Sequence, residues 1–322
     1  MYPTSDQPAF GTFVKDQVQA LRRAGVEIDV LFINGRKSRF NYLWGVFRLW
    51  CMLLRKPYQL VHAHHAISGF VARLQFKCPV VVTYHGGEVR EHAPTWLKIP
   101  GRCARFLFDR VIVVNENEKA LIYKNDSRVN VIPCGVDFER FKPVPQGSAR
   151  AQLKLPKEKP LLLWAGEHWQ PEKSLELLEA SVDIIKQCRP DVELILVSGK
   201  PHSVMPIYMN ACDALVLTSW SEGSPMVIKE AMACNLPIVS TDVGDVAAVI
   251  GGVEGCYLAE PNPEDVADKL FKVLTRNKRT HGRDKIGNLG SGQITHRIIE
   301  MYNTLCPPQL RVEFSGVWNS EF

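Results

Sequence analysis

The chain has 322 residues, 46% of them hydrophobic, and a formal net charge of +5; single cores stop growing near ~250–300 residues, so two α/β domains are the natural expectation. No basic stripe with interleaved aromatics runs through it, which argues against a nucleic-acid partner. Nine cysteines without a C-x-x-C pair give neither a disulfide framework nor a zinc site, so the thiols read as reduced and the protein as cytoplasmic.

The opening loop, TSDQPAFG, ends at Gly11, and an amphipathic helix is predicted from Thr12 to Arg23, stopped by Gly25. Val26 to Ile33 reads as a strand. A doubly wound domain normally opens on a strand, and none precedes this loop. An apolar, β-branched run of about six residues is therefore expected upstream of Met1, or else a rearrangement beside 26–33.

Residues 37–57 form a helical segment rich in aromatic and basic residues, and Leu43, Val46, Phe47, Trp50, Leu53 and Leu54 make one broad stripe on it. Such stripes usually face a core. Lys37, Arg39, Arg48, Arg55 and Lys56 open the alternative of peripheral contact with the inner face of a membrane. The apolar run from Tyr42 to Leu54 is too short to span a bilayer.

Three β-like runs follow, LVHAHH, VVVTYHGGE and RVIVVNENE, and VNVIPCGVDFERFKP at 129–143 closes this half. Each run ends in small or polar residues, at the edge where open α/β sheets place ligands. VHAHH reads as a packed, hydrogen-bonded corner, with zinc ligation the lesser option. Pro143, Pro145 and Gly147 mark a linker, giving domains 1–145 and 146–290, a helix at 291–306 and a tail at 307–322.

The second half is expected to run as strand 160–165, Gly166, a loop to Lys173, helix 175–187, strand 192–198, a shortened connection through KPHSVMPIYMNACD, and strand 214–217. Ser224 reads as an N-cap, Pro225 as the first helical residue and Asn235 as a left-handed stop before strand 237–240. Helix 246–250, strand 255–258 and helices 263–274 and 294–305 complete the chain. GNLGSG at 287–292 follows no strand and reads as a turn.

Glu222 lies in the turn and Glu230 two helical turns later, flanking a helix start whose free N–H groups attract anions. That combination offers a phosphate site and two acceptors for hydroxyls, as a nucleotide sugar requires. Solvated acids beside a helix start are the plain alternative.

Glu222-x7-Glu230 within SEGSPMVIKEAMACNLPIVSTDVGD, the run VIPCGVDFERFKP and the opening DQPAFGTF together resemble the family 4 retaining glycosyltransferases of the GT-B fold, over Met1 to about Leu305. The resemblance implies two facing Rossmann-like doubly wound domains with a cleft between them, the first on the acceptor side and the second binding the nucleotide sugar. It implies catalytic roles for Glu222, which would stabilise positive charge at the anomeric carbon, for Lys173, which would stabilise the leaving diphosphate, and for His85, which would meet the sugar hydroxyls. Gly11, Gly166, Lys173, Gly223, Ser224, Pro225, Met226 and Glu230 would bind the donor, Glu230 through the ribose.

No metal or cofactor is implied beyond the nucleoside diphosphate sugar. The acceptor would be a hydroxyl of a glycan or lipid-linked intermediate in polysaccharide or glycoconjugate synthesis. Glu167 departs from the family, which usually has an arginine after the glycine, and His168 or Lys200 would have to compensate. A sugar-nucleotide epimerase of the same fold and a catalytically silent, nucleotide-sugar-binding partner are the competing readings.

Overall fold

The computed structural model describes residues 2–3, 10–86, 106–123, 126–166 and 171–310. The chain divides into two compact units, one of Phe10–Gly135 with the stretch from Ser291, the other of Val136–Gly290. All strand pairs in both are parallel. Parallel strands are covered on both faces, which is why the valine- and leucine-rich runs are continuous instead of alternating.

In the first unit, α1 (Thr12–Arg23), α2 (Phe40–Arg55), β1 (Val61–His64), α3 (Ala66–Arg73), β2 (Val80–Thr83), β3 (Arg110–Val113), α4 (Glu116–Tyr123) and β4 (Val129–Val131) follow in order. The sheet runs β1-β2-β3-β4. Its core is Val80, Val82, Val111, Val113 and Val129. α1 begins where Gly11 takes φ 74, and it buries Val14, Val18 and Leu21, one face at helical spacing.

Two expectations fail in this unit. Val26 to Ile33 is not a strand; a strand needs a partner, and among the described residues β1 pairs with β2 alone. The stripe on α2 is not one core face either, because the helix buries Gly45, Leu49 and Leu53 and leaves Leu43, Phe47 and Leu54 exposed. Gly45 fixes that choice, since a Cβ there would lie 2.5 Å from Cδ1 of Ile33.

The second unit holds α5 (Gln146–Leu153), β5 (Leu161–Ala165), α6 (Leu175–Cys188), β6 (Glu193–Val197), α7 (Met205–Ala211), β7 (Ala214–Leu217), α8 (Met226–Ala233), β8 (Ile238–Thr241), α9 (Val246–Ile250), β9 (Cys256–Ala259), α10 (Pro263–Arg276) and α11 (Gly282–Lys285). Its sheet order is β6-β5-β7-β8-β9. The chain leaves β5 for one side of the sheet and returns to its other side at β7, so the loops after β5 and β7 border a topological switch point.

Gly147 lies inside α5, so KPVPQGS runs into a helix, and α7 makes the connection from β6 to β7 a full βα unit. α8 starts one residue later than expected: Pro225 occupies the cap position and Ser224 stands outside the helix. Asn235 takes φ 54, as a left-handed stop requires. GNLGSG forms a 3-10 turn at Gly287–Leu289 and leads into α12 (Ser291–Asn303).

α12 belongs to the first unit, where Arg297 donates to the carbonyl of Val131 at 2.6 Å and Tyr302 meets His62. Among the described residues no helix is long and apolar enough to cross a membrane, and the eight cysteines found there are free thiols.

Candidate active site

In the second unit the candidate residues gather at the carboxyl ends of β5, β6, β7 and β8. Gly166 closes β5, and a Cβ there would press on the Trp164 ring at 3.0 Å and on Lys173 at 3.5 Å. Lys173 ends a 3-10 turn, Pro171–Lys173, that is tied to the end of β7: the Thr218 hydroxyl donates to its carbonyl at 3.0 Å, and Trp220 N–H donates to Glu172. The Lys173 ammonium donates to Glu222 Oε1, which also accepts from the Ser219 hydroxyl at 3.0 Å. Both partners of this ion pair are mostly shielded from solvent, so each charge depends on the other.

Gly223 is held from behind. Gly244, with φ 61, lies so close that a Cβ would come 2.2 Å from the Gly223 carbonyl oxygen. Ser224 does not cap α8; its hydroxyl donates to Asp245 Oδ2 at 2.6 Å and accepts from Lys229. Lys229 is wholly buried and pairs with Asp245 at 3.2 Å. These contacts fix the Gly223 to Met226 turn, and α8 begins with no side chain capping its N–H groups.

Glu230 is 4% exposed, and its Oε1 meets Nε2 of His202 at 2.6 Å. On the other side of that ring Arg140 Nη1 lies 3.2 Å from Nδ1. A guanidinium only donates, so Nδ1 accepts and the Nε2 proton points at Glu230.

In the first unit Phe13, two residues after Gly11 at the start of α1, packs against His85 with ring centroids 4.7 Å apart and the rings tilted by 55°. His85 Nε2 lies 3.0 Å from His64 Nδ1, and His62 bonds Tyr302 and the Thr83 hydroxyl, the latter at 2.7 Å. VHAHH is thus a hydrogen-bonded corner. Burial pushes the His62 imidazole down to about 4. His64 is held well below the ordinary range by burial and then by its histidine neighbours. Among the described residues no group of three or more His, Cys, Asp or Glu is arranged to hold a metal ion.

The family models carry the decision. Residues 10–140 match the model described as Glycosyltransferase Family 4, and residues 199–276 match Glycosyl transferases group 1. The chain belongs to the family 4 glycosyltransferases. It is 26% identical over 303 residues to D-inositol 3-phosphate glycosyltransferase 2 of Catenulispora acidiphila, covering 78% of this chain and 69% of that relative. Of a Nocardia farcinica counterpart it covers 62%.

The fold of this family 4 glycosyltransferase is GT-B. Sucrose-phosphate synthase from Thermosynechococcus elongatus superposes with TM-score 0.77 at 22% identity, over 91% of this chain and 92% of that one. HepE of Anabaena, solved with UDP and glucose, gives TM-score 0.71 at 19% identity, over 94% and 98%.

Sequence reasoning missed His202, Lys229, Gly244 and Asp245. His202 and Asp245 follow the ends of β6 and β8, the edge that already carried the signal for Glu222. Lys229 sits in an apolar helix and reads as an ordinary solvated charge. Glu167 and His168 lie outside the described residues, as do Gly87 and Glu88 of the HGGE run.

Proposed function

We propose that the chain transfers a glycosyl group from a nucleoside diphosphate sugar to a hydroxyl of a glycan or lipid-linked acceptor, with retention of anomeric configuration. One observation carries this reading: the Lys173–Glu222 pair sits at the switch point of the second sheet, with Glu222 in the turn that leads to the uncapped start of α8, and the same helix carries the buried carboxylate of Glu230. In this reading Glu230 accepts from the ribose hydroxyls. The backbone N–H groups of Gly223, Ser224 and Met226 hold the diphosphate.

The bond from the anomeric carbon to the diphosphate oxygen breaks, and Lys173 takes up the charge developing on the leaving group while Glu222 stabilises that on the sugar. The acceptor oxygen attacks from the face the leaving group departs. Its proton passes to the departing phosphate oxygen. HepE was solved with UDP, which supports a uridine nucleotide as the first probe. Incubation with a panel of labelled UDP- and GDP-sugars tests the reading: release of the nucleoside diphosphate is expected for at least one donor, and no binding or turnover of any would overturn it.

The reading extends to the inner face of a membrane. Opposite its buried face, α2 exposes Phe40 (78%), Leu43 (69%), Trp44 (59%), Phe47 (56%) and Leu54 (68%), a stripe at helical spacing. Arg48 and Arg55 flank it, and Arg36, Lys37 and Arg39 precede it, all exposed. Monomers seldom leave an apolar patch of this kind to water, and each basic residue near an anionic surface adds ~1 kcal/mol. Co-sedimentation with phosphatidylglycerol vesicles is expected, and is lost in a Trp44→Glu/Phe47→Glu variant. Equal partitioning of both proteins would remove α2 from the membrane.

A further inference from the structure

In the second unit a groove of about 620 Å³ opens at the carboxyl ends of β7, β8 and β9, within the ~300–1,000 Å³ common for small-molecule sites. The buried Ser219, Thr241 and Ala259 line it together with the exposed Trp220, Asp242 and Glu260. Ser219 joins the groove to the candidate active site. Its hydroxyl donates to Glu222 Oε1 at 3.0 Å, so the groove and Glu222 share one turn.

Trp220 is 54% exposed yet held in place. Its Nε1–H donates to the Pro171 carbonyl at 3.2 Å, and its backbone N–H donates to that of Glu172 at 3.0 Å. An indole with its polar edge satisfied and its position fixed offers flat apolar area at little entropic cost. The Asp242 and Glu260 carboxylates take no hydrogen bond or ion pair among the described residues. Asp265 is occupied, because it pairs with Lys269 at 2.9 Å and accepts from the Glu260 N–H at 2.9 Å.

These three carboxylates against the one ammonium of Lys269 leave the groove negative. That charge repels a diphosphate, a uronate or a lipid phosphate. Among the described residues no three acidic, histidine or cysteine groups are arranged for a metal ion. A neutral saccharide meets both features of the lining: the apolar C–H face of a pyranose lies flat on the indole, and its hydroxyls donate to Asp242 and Glu260.

We propose that this groove is a second carbohydrate site, taking a neutral sugar residue of the acceptor or product glycan beside the turn that carries Glu222. Its role in transfer rests on the proposed transferase activity; saccharide binding does not. Saturation-transfer difference NMR on the 322-residue chain, without nucleotide, tests it. The probes are neutral trisaccharides of glucose, galactose, mannose and N-acetylglucosamine, with trigalacturonate and trilysine as charged controls.

At least one neutral probe should bind tenfold or more tighter than trigalacturonate, and its affinity should fall tenfold or more in Trp220→Ala and in Asp242→Asn/Glu260→Gln. The double variant alters only exposed side chains, so its unfolding midpoint and its affinity for UDP should match the parent's. The proposal is overturned if no neutral probe binds, if trigalacturonate binds as tightly, or if either variant binds as the parent does. Tightest binding of trilysine would overturn it in favour of a basic peptide, and weakened UDP binding in the double variant would place the groove in the donor site instead. Saccharide binding with no turnover of any nucleotide sugar would sink the transferase reading and leave this assignment standing.

Discussion

Glu230→Gln probes the donor site with the least damage to the fold. The side chain is buried and its Oε1 takes the Nε2 proton of His202. Glutamine has the same shape and still offers an amide oxygen to that proton, so the Arg140–His202 chain stays satisfied. The negative charge is what disappears. A hydrogen bond to a charged acceptor contributes about 1.5–3 kcal/mol, and 1.4 kcal/mol is a tenfold change, so the Kd for a nucleoside diphosphate should rise between roughly tenfold and 150-fold. Calorimetric titration of UDP and GDP into both proteins measures this, with unfolding midpoints as the control for integrity. A native midpoint with unchanged affinity for the nucleotide that binds the parent would refute the ribose role of Glu230.

Lys173→Met should lower kcat by about 10²-fold or more, because it removes a cation that acts on the leaving group, and should leave Glu222 unpaired at a cost of about 3 kcal/mol; restored stability in Lys173→Met/Glu222→Gln without restored turnover separates the two effects. Gly244→Ala combines a positive φ with a 2.2 Å approach to the Gly223 carbonyl; loss of 2 kcal/mol or more in urea unfolding is expected, and a neutral result would show that the Gly223 turn is not held from behind. His62 is neutral in the fold and titrates near 4, whereas an unfolded histidine titrates near 6.5. The unfolded chain therefore takes up the proton first, and stability should fall as pH drops from about 6.5 toward 4, by up to about 3 kcal/mol, and stay flat above. An identical pH slope in His62→Gln would assign the effect to other groups.

The parts of the fold fixed by local chemistry were legible in the sequence. α1 and α9 match their expected limits of Thr12–Arg23 and Val246–Ile250 because apolar spacing and glycine stops lie within the segments themselves. Segment 26–33 has the residues of a strand, but pairing is non-local, and no pattern inside VEIDVLFI reports whether a neighbour exists. The same limit explains Ser224. Its local position suggests a cap, yet Asp245, distant in sequence, takes its hydroxyl proton.

On α2 the sequence displays the apolar residues without saying which of them the unit covers; Gly45 against Ile33 makes that choice. Glu222 and Glu230 were visible because a turn and a helix start bracket them. His202 was not, because its partner lies across the sheet edge on another element.

The central claim is retention at a donor held by Glu222, Lys173 and Glu230. Time-resolved proton NMR of the sugar first released from an α-configured UDP-sugar, with water or a simple alcohol as acceptor, reads the configuration directly. The α-anomer is expected as the initial product, formed at least 10²-fold more slowly by Glu222→Gln; an initial β-anomer, or undiminished turnover in that variant, would contradict the account.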